Sequence, residues 1–535
     1  LDEEEANQAS QKEGGSMKEK NSRKAATCLL SSAVLALAPA AVTNAQSPEE
    51  PYYRLVNITP DHDIPLSSLR LFKINRHSEA VGTIIVDAKE HAFVWLPEPK
   101  YGLPRGLSDI HVLAGLDQDG QSAAHDINGH GYVVGEYTNV VQGEVLTRAF
   151  AWKLGVMMDT FDFKDFQTDP DIVVPRVAWA VNENAVPQVV GEADGLGDCA
   201  CPPPPNPSVE AVLGFQVTLE AGATVQVLPP YSDPPSLCDE NSSARDISGG
   251  AIVGHSWDGI PPCNAPANCV VLDEPKNAIM WGSGVLLSDL GAESDGRGIN
   301  NAGQIAGFGW MLPNPCHLRA LYWESFLSSH EILYAAPDAD HQARAEAINN
   351  AETLQVVGTN EDTGHALLWQ RSSPSGAWNA YDLNTTIHLC SDNWLVARGD
   401  DINDDGWIAA LAQTPPSGST TKHAVLLMPV EFCIWDITGP EGEPDGDVGI
   451  NDFLKVLGDW GDCPSGTICL SDFDCDGTVG ITDFLDLLGN WGPCDAPDPG
   501  GPPQSIQDCI DRFGLEDPIV LEKCICAVEP DECPE

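Results

Sequence analysis

Ile127-Asn128-Gly129-His130-Gly131-Tyr132-Val133-Val134-Gly135, followed by Arg148-Ala149-Phe150-Ala151-Trp152, is the stretch that decides the fold. Asn-x-x-Gly supplies a tight turn, and the β-branched run after it makes a buried strand. The second segment alternates small and large apolar residues on opposite faces, as a strand packed on both sides requires. This pair of motifs recurs along the chain. Its first half returns as Ile74-Asn75 with Val81-Gly82, Val181-Asn182 with Val190-Gly191, and Ile247-Ser248 with Val253-Gly254. Ile299-Asn300 with Ala306-Gly307, Ile348-Asn349 with Val357-Gly358, and Ile402-Asn403 with Ala409-Ala410 complete that series. The second half returns as His91-Ala92-Phe93-Val94-Trp95, a blurred Ala211-Val212-Leu213-Gly214-Phe215, and Asn277-Ala278-Ile279-Met280-Trp281. Arg319-Ala320-Leu321-Tyr322-Trp323, His365-Ala366-Leu367-Leu368-Trp369 and His423-Ala424-Val425-Leu426-Leu427 finish it. Seven copies, spaced 53, 54, 66, 52, 49 and 54 residues apart, have the period of a four-stranded propeller blade. The expected fold is mainly β: a seven-bladed β-propeller over 46–432, with a strand near 52–58 completing the last blade. An open β-solenoid is the rival architecture.

These units resemble the HAF-family extracellular repeats over about residues 74–430, the triplet being literal at His91-Ala92-Phe93. The resemblance implies an extracellular, β-rich repeat protein and carries no established activity. The recurring Asn, Trp and His read as turn and packing elements. Long insertions at 192–210 and 255–276 fall where a propeller commonly carries its binding loops.

Outward from the repeats, 27 Lys plus Arg stand against 80 Asp plus Glu in 535 residues, a net charge of −53. Nucleic acid and anionic lipid need basic surface, so neither is expected as a main partner. Met17 opens a basic stretch (Lys18, Lys20, Arg23, Lys24), then an apolar run at 25–42 and Thr43-Asn44-Ala45. That order reads as a secretory signal peptide over 17–45, with residues 1–16 before it read as a gene-model extension. Ser31, Ser32 and Pro39 interrupt the run and argue against a membrane anchor. Apart from Cys28, eight cysteines lie at or before Cys433 and eight at or after Cys463, two even sets that suit disulfides closed within separate domains.

Near the C-terminus stands Asp472-Phe473-Asp474-Cys475-Asp476-Gly477-Thr478-Val479-Gly480-Ile481-Thr482-Asp483. Oxygen ligands at positions 1, 3, 5 and 12, glycine at 6 and the Thr478 carbonyl at 7 suit a hard six- to seven-coordinate cation, which makes calcium the expected cofactor. The segment is duplicated: Gly446-Asp447-Val448-Gly449-Ile450-Asn451-Asp452-Phe453-Leu454 aligns with 477–485. Counting back from Asp452 puts Glu441, Glu443 and Asp445 at positions 1, 3 and 5, with Asp447 at 7. From Cys433 onward there are 24 acidic and 3 basic residues, so the acid excess is densest around these loops.

Two such loops, each followed by one short helix and ending in Asp, resemble a type I dockerin; the resemblance covers about residues 434–494 within a domain at 433–494. It implies docking onto a cohesin-like module or another extracellular scaffold protein. Recognition would lie on the helices starting at Ile450-Asn451 and Ile481-Thr482, which replace the Ser-Thr pair common in cellulosomal dockerins. A Pro/Gly/Asp linker at 495–503 leads to a Cys-rich helical hairpin at 504–535.

Catalytic signatures are scarce. Gly254-His255-Ser256-Trp257-Asp258 falls one residue short of a nucleophile elbow, and no zincin, phosphate-loop or dinucleotide motif is present. The sequence points to a secreted, non-catalytic protein whose propeller binds a ligand, glycan or protein, and whose calcium module anchors it without membrane insertion. The alternatives are a dockerin-bearing carbohydrate-active hydrolase of the glycoside type, acting in polysaccharide catabolism through an unnamed carboxylate pair, and a structural cell-surface protein.

Overall fold

Four short strands fit each repeat, and the computed structural model arranges them as seven blades around one axis. It describes residues 51–494 except 61, 63, 65–71, 117–118, 142–143, 155–173, 195–211, 220–224, 229–239, 259–275, 282–284, 288–290, 312–316, 336–340, 372, 374–375, 390–393, 414–421, 431–432 and 439–445. The signal peptide, the linker, the C-terminal hairpin and nearly all of both long insertions therefore lie outside the described residues. Lys73–Ile74, Ala80–Val86, Lys89–Leu96 and Gly106–Asp109 form the first antiparallel blade. The next five repeat the pattern, the second with three described strands. The last blade takes Leu395–Ile402, Ile408–Gln413 and Lys422–Pro429 from its own repeat, and the N-terminal Tyr53–Asn57 pairs beside Lys422–Pro429. That pairing closes the ring, as a propeller must to leave no open sheet edge.

Alternation in the third strand of each blade builds the core. Phe93 and Trp95 pack toward the last blade with Leu411 and Leu426, while Ala92, Val94 and Leu96 pack toward the second with Ile127, Phe150 and Trp152. Burying a side chain such as Phe93 completely is worth about 1.5–3 kcal/mol.

The repeated asparagines link blade to blade. Each of Asn75, Asn128, Asn300 and Asn403 accepts backbone N–H bonds two and four residues on, which folds the turn between the first two strands. Its amide nitrogen then reaches the next blade: Asn75 Nδ2 donates to Asn128 O, Asn128 to Asn182 O, Asn300 to Asn349 O, and Asn349 to Asn403 O. Asn403 Nδ2 donates to Asn75 O at 3.1 Å, completing the circuit. Blade four is the exception, because a two-residue Gly249-Gly250 turn replaces the longer one and leaves no place for the asparagine loop.

Behind the ring lies a small module with two helices, Ile450–Gly458 and Ile481–Gly489. Val448, Val456 and Ile437 of one half meet Val479, Leu487 and Phe473 of the other in its core. The halves exchange ends: Asp447–Val448 pairs with Gly492–Pro493, and Gly461–Asp462 with Thr478–Val479. Disulfides follow the same symmetry, Cys433–Cys494 and Cys463–Cys469. Cys433 thus belongs to the module, and its bond joins the two cysteine sets that an even count had divided between domains. The correction has a plain cause: parity is blind to which side of a boundary a single cysteine folds on.

Candidate metal loops and central channel

Gly477 turns the second loop with φ +88°, and three carboxylates converge within it. Carboxylate oxygens of Asp472, Asp474 and Asp483 lie within 4.8 Å of one another. Asp483 Oδ1 accepts from Phe473 N at 2.6 Å and Asp474 N at 3.2 Å, and its Oδ2 from Gly480 N at 2.7 Å, locking the twelfth position to the start of the loop and of the helix. Asp476 holds Thr478 by its backbone N–H and hydroxyl. Asp472 Oδ2 accepts from Gly477 N at 3.1 Å, while its buried Oδ1 has no hydrogen-bond partner. Burial, then the neighbouring Asp483 and Asp474 charges, push the Asp472 carboxyl above its ordinary pKa. An orphaned buried oxygen within a knot of mutually repelling carboxylates fits a hard divalent cation. Cys463 and Cys469 also approach Asp472, but their sulfurs are bonded to each other and are not free ligands.

In the first half, Asp452 makes the bonds that Asp483 makes in the second: Oδ1 accepts from Ile437 N at 2.8 Å and Thr438 N at 2.9 Å, and Oδ2 from Gly449 N at 2.8 Å. Gly446 N donates to Asp436 Oδ2 at 2.6 Å, the counterpart of Gly477 to Asp472. The place held by Asp472 is therefore held here by Asp436, and that of Asp474 by Thr438. Glu441, Glu443 and Asp445 lie outside the described residues; the hydrogen bonds put five extra residues between Asp436 and Gly446, which a count of twelve back from Asp452 passes over. Asp447 is exposed on the short strand paired with Gly492–Pro493. One signal was available in the sequence: Cys433-x-x-Asp436 repeats Cys469-x-x-Asp472.

The helices that follow the loops turn equivalent apolar faces outward. Ile450, Leu454 and Leu457 are exposed on one, with Trp460 just past its end, and Ile481, Leu485 and Leu488 on the other, with Trp491 just past its end. Trp460 packs edge-on to Phe484 of the opposite helix, and Trp491 to Phe453.

The turn between the module's halves grips the propeller. Arg54, buried on the ring-closing strand, donates to Cys469 O at 2.7 Å, Leu470 O at 3.0 Å and Asp472 O. Trp95 Nε1 donates to Gly466 O at 2.7 Å, Arg105 to Thr467 Oγ1 at 2.8 Å, and Ile468 packs against the cluster around Phe93.

A second polar region lines the axis, and sequence reasoning missed it. In blades two to seven the innermost strand carries a bulge, with the register slipping across His125, Trp179, Arg245, Arg297, Glu346 and Asp400. A bulge re-aims one side chain, so each of these turns toward the axis beside its neighbour at the next position. The bulge also explains the glycine that recurs opposite it: a Cβ on Gly135, Gly191, Gly254, Gly307 or Gly358 would lie 1.9–2.0 Å from a carbonyl oxygen of the bulged strand.

One layer sets Lys73 Nζ 3.3 Å from Asp401 and within electrostatic reach of Asp126 and Asp246, a convergence of blades one, two, four and seven. Asp126 bonds Ile127 N and Val181 N, and Asp246 bonds Ile247 N and Ile299 N, so each carboxylate ties its blade to the next. Burial, with Asp246 and Asp401 nearby, pushes Asp126 up to about 7 against the pull of Lys73. In the adjoining layer Glu192 receives Ser243 Oγ at 2.6 Å and Trp179 Nε1 at 3.0 Å, with Arg245 and Arg176 at 3.5 and 3.4 Å. Burial works to raise its pKa, but Arg245, Ser243, Trp179 and Arg176 overcome that and hold it below the ordinary value. His255 Nδ1 sits 2.8 Å from Asp295, which also faces Arg297 at 3.5 Å; Arg297 reaches Glu346 at 2.8 Å. Burial lowers the His255 pKa despite Asp295. The layer is a charge-paired network that can offer donors and acceptors but whose carboxylates are already engaged.

Among the described residues no helix is long and apolar enough to cross a membrane. No family model matches the chain, and no curated protein matches it. Among solved structures it is similar to an oligogalacturonate lyase of Vibrio parahaemolyticus, at 10% identity over 70% of this chain and 93% of that one, with a TM-score of 0.32. It is also similar to the PQQ-bound aldose sugar dehydrogenase of Streptomyces coelicolor, at 10% identity over 70% and 98%, TM-score 0.27. A third likeness is to the Trypanosoma rangeli sialidase in complex with the inhibitor DANA, at 8% identity over 56% and 53%, TM-score 0.28.

Proposed function

We propose that this is a secreted, non-catalytic protein of the HAF-repeat type that binds a glycan or protein through its propeller and attaches to an extracellular assembly through a calcium-dependent, dockerin-like module. Calcium is held in the second loop by Asp472, Asp474, Asp476, Asp483 and the Thr478 carbonyl, and in the first by Asp436, Thr438, Asp445, Asp452 and the Asp447 carbonyl. The observation that carries the reading is the duplicated module itself, with an unpartnered buried oxygen on Asp472 and two equivalent exposed apolar helix faces behind the loops. Apolar faces related by a dyad suit a protein scaffold such as a cohesin-like module, which can bury either one.

The channel supports binding more than hydrolysis. Glycoside cleavage needs a carboxyl of raised pKa facing a second carboxylate across about 5–9 Å. Asp126, whose carboxyl is raised to about 7, has both oxygens on backbone N–H groups, and Glu192 is held ionised by arginine. The test uses the full-length chain, with calcium and with chelator. A panel of immobilised cohesin modules and polysaccharides is scored for retention, and each soluble polysaccharide for release of reducing sugar. Calcium-dependent retention on a cohesin and retention without release on a polysaccharide are expected. Sugar release overturns the non-catalytic reading, and absence of all retention favours a structural surface protein.

A further inference from the structure

We infer that calcium in the second loop locks the propeller ring, by fixing the turn that clamps its N-terminal closing strand. The inference rests on the calcium reading above, and its physical basis is the route taken by Arg54. A propeller stays closed only while its first strand remains paired in the last blade, here Tyr53–Asn57 against Lys422–Pro429 on one side and Ile387–Leu389 on the other. The guanidinium of Arg54 leaves that strand and binds three carbonyls in succession: Cys469, Leu470 and Asp472.

Asp472 is the first residue of the metal loop, so the same backbone serves the clamp and the ligand set. Without a cation, Asp472, Asp474 and Asp483 repel one another at the point where that backbone must hold its shape. With a cation the loop is fixed, the carbonyls stay aimed at Arg54, and opening the strand requires giving up those bonds. Trp95 and Arg105 hold the same turn from blade one, so it bridges the first and last blades across the closure. The module is thus a clasp on the ring as well as an adaptor, and its outward helix faces remain free to meet a partner.

Hydrogen exchange on the full-length chain, read by mass spectrometry in calcium and in chelator, tests this. At calcium one hundredfold above its dissociation constant, exchange of amides in 53–57 should slow by up to about 100-fold, together with that of 472–483. Asp483→Ala should remove both effects. Arg54→Met, which keeps the stem but not the three bonds, should leave calcium protection at 472–483 and abolish it at 53–57; Trp95→Phe should weaken it. Protection of 472–483 with no change at 53–57 in the unaltered protein overturns the clasp and spares the calcium reading. No protection at either place overturns both.

Discussion

At the residue scale, two kinds of glycine do different work. Gly358 has an ordinary φ, but a Cβ there would stand 1.9 Å from Arg344 O on the bulged inner strand of blade six. Gly249 has open space around its Cβ position and a φ of +63°. The first is a packing requirement set by backbone, the second a local conformational one. Gly358→Ala should therefore destabilise the propeller by more than about 3 kcal/mol, as an overpacked site that cannot yield. Gly249→Ala should lose about 1–2 kcal/mol, the strain of an alanine held left-handed. Urea unfolding of the two variants measures the difference, and equal losses would show that the bulge relaxes. Blade seven does carry Ala410 at this place, where its inner strand has a second register slip between Val396 and Arg398.

At the scale of elements, the repeats announced themselves because their asparagine turns and third-strand alternation are local in sequence. Asn-x-x-Gly reads directly as the turn it forms, and His91-Ala92-Phe93-Val94-Trp95 as a strand buried on both faces. The channel was not legible. Bulges break the two-residue period, and the positions they re-aim hold residues as unlike as His125, Trp179, Arg297 and Glu346, so no pattern survives to be read. The first metal loop was half legible. Its end, Gly446 to Asp452, repeats the second loop, but its beginning is displaced by five residues that only the hydrogen bonds of Asp436 and Asp452 reveal. Calcium titration by calorimetry separates the two assignments. Asp436→Ala should reduce the full-length chain from two bound ions to one, whereas Glu441→Gln and Glu443→Gln should leave two. Loss of a site in either glutamate variant, with none in Asp436→Ala, would restore the shorter loop.

For the whole molecule, closure brings one lysine and three aspartates from four separate blades into a common layer, and that layer should make stability depend on pH. Asp126 stands at about 7, and burial raises Asp246 and Asp401 above their ordinary values as well. A carboxyl raised by folding keeps a proton that the unfolded chain has already released. For Asp126 stability therefore falls as pH climbs from about 4 through about 7, by at most about 1.4 kcal/mol per pH unit, and Asp246 and Asp401 act in the same direction. His255 works in the opposite direction, since burial lowers its pKa, but above its ordinary value of 6.5 it is neutral in both states. Between pH 6.5 and 7.5, with calcium saturating, the urea midpoint should decline. Lys73 is the cation that restrains the three acids, so Lys73→Met should push them higher and move the decline to higher pH. Flat profiles from both proteins would mean that the layer is ionised in the folded ring, with water or a bound cation supplying the charge balance that Lys73 alone does not.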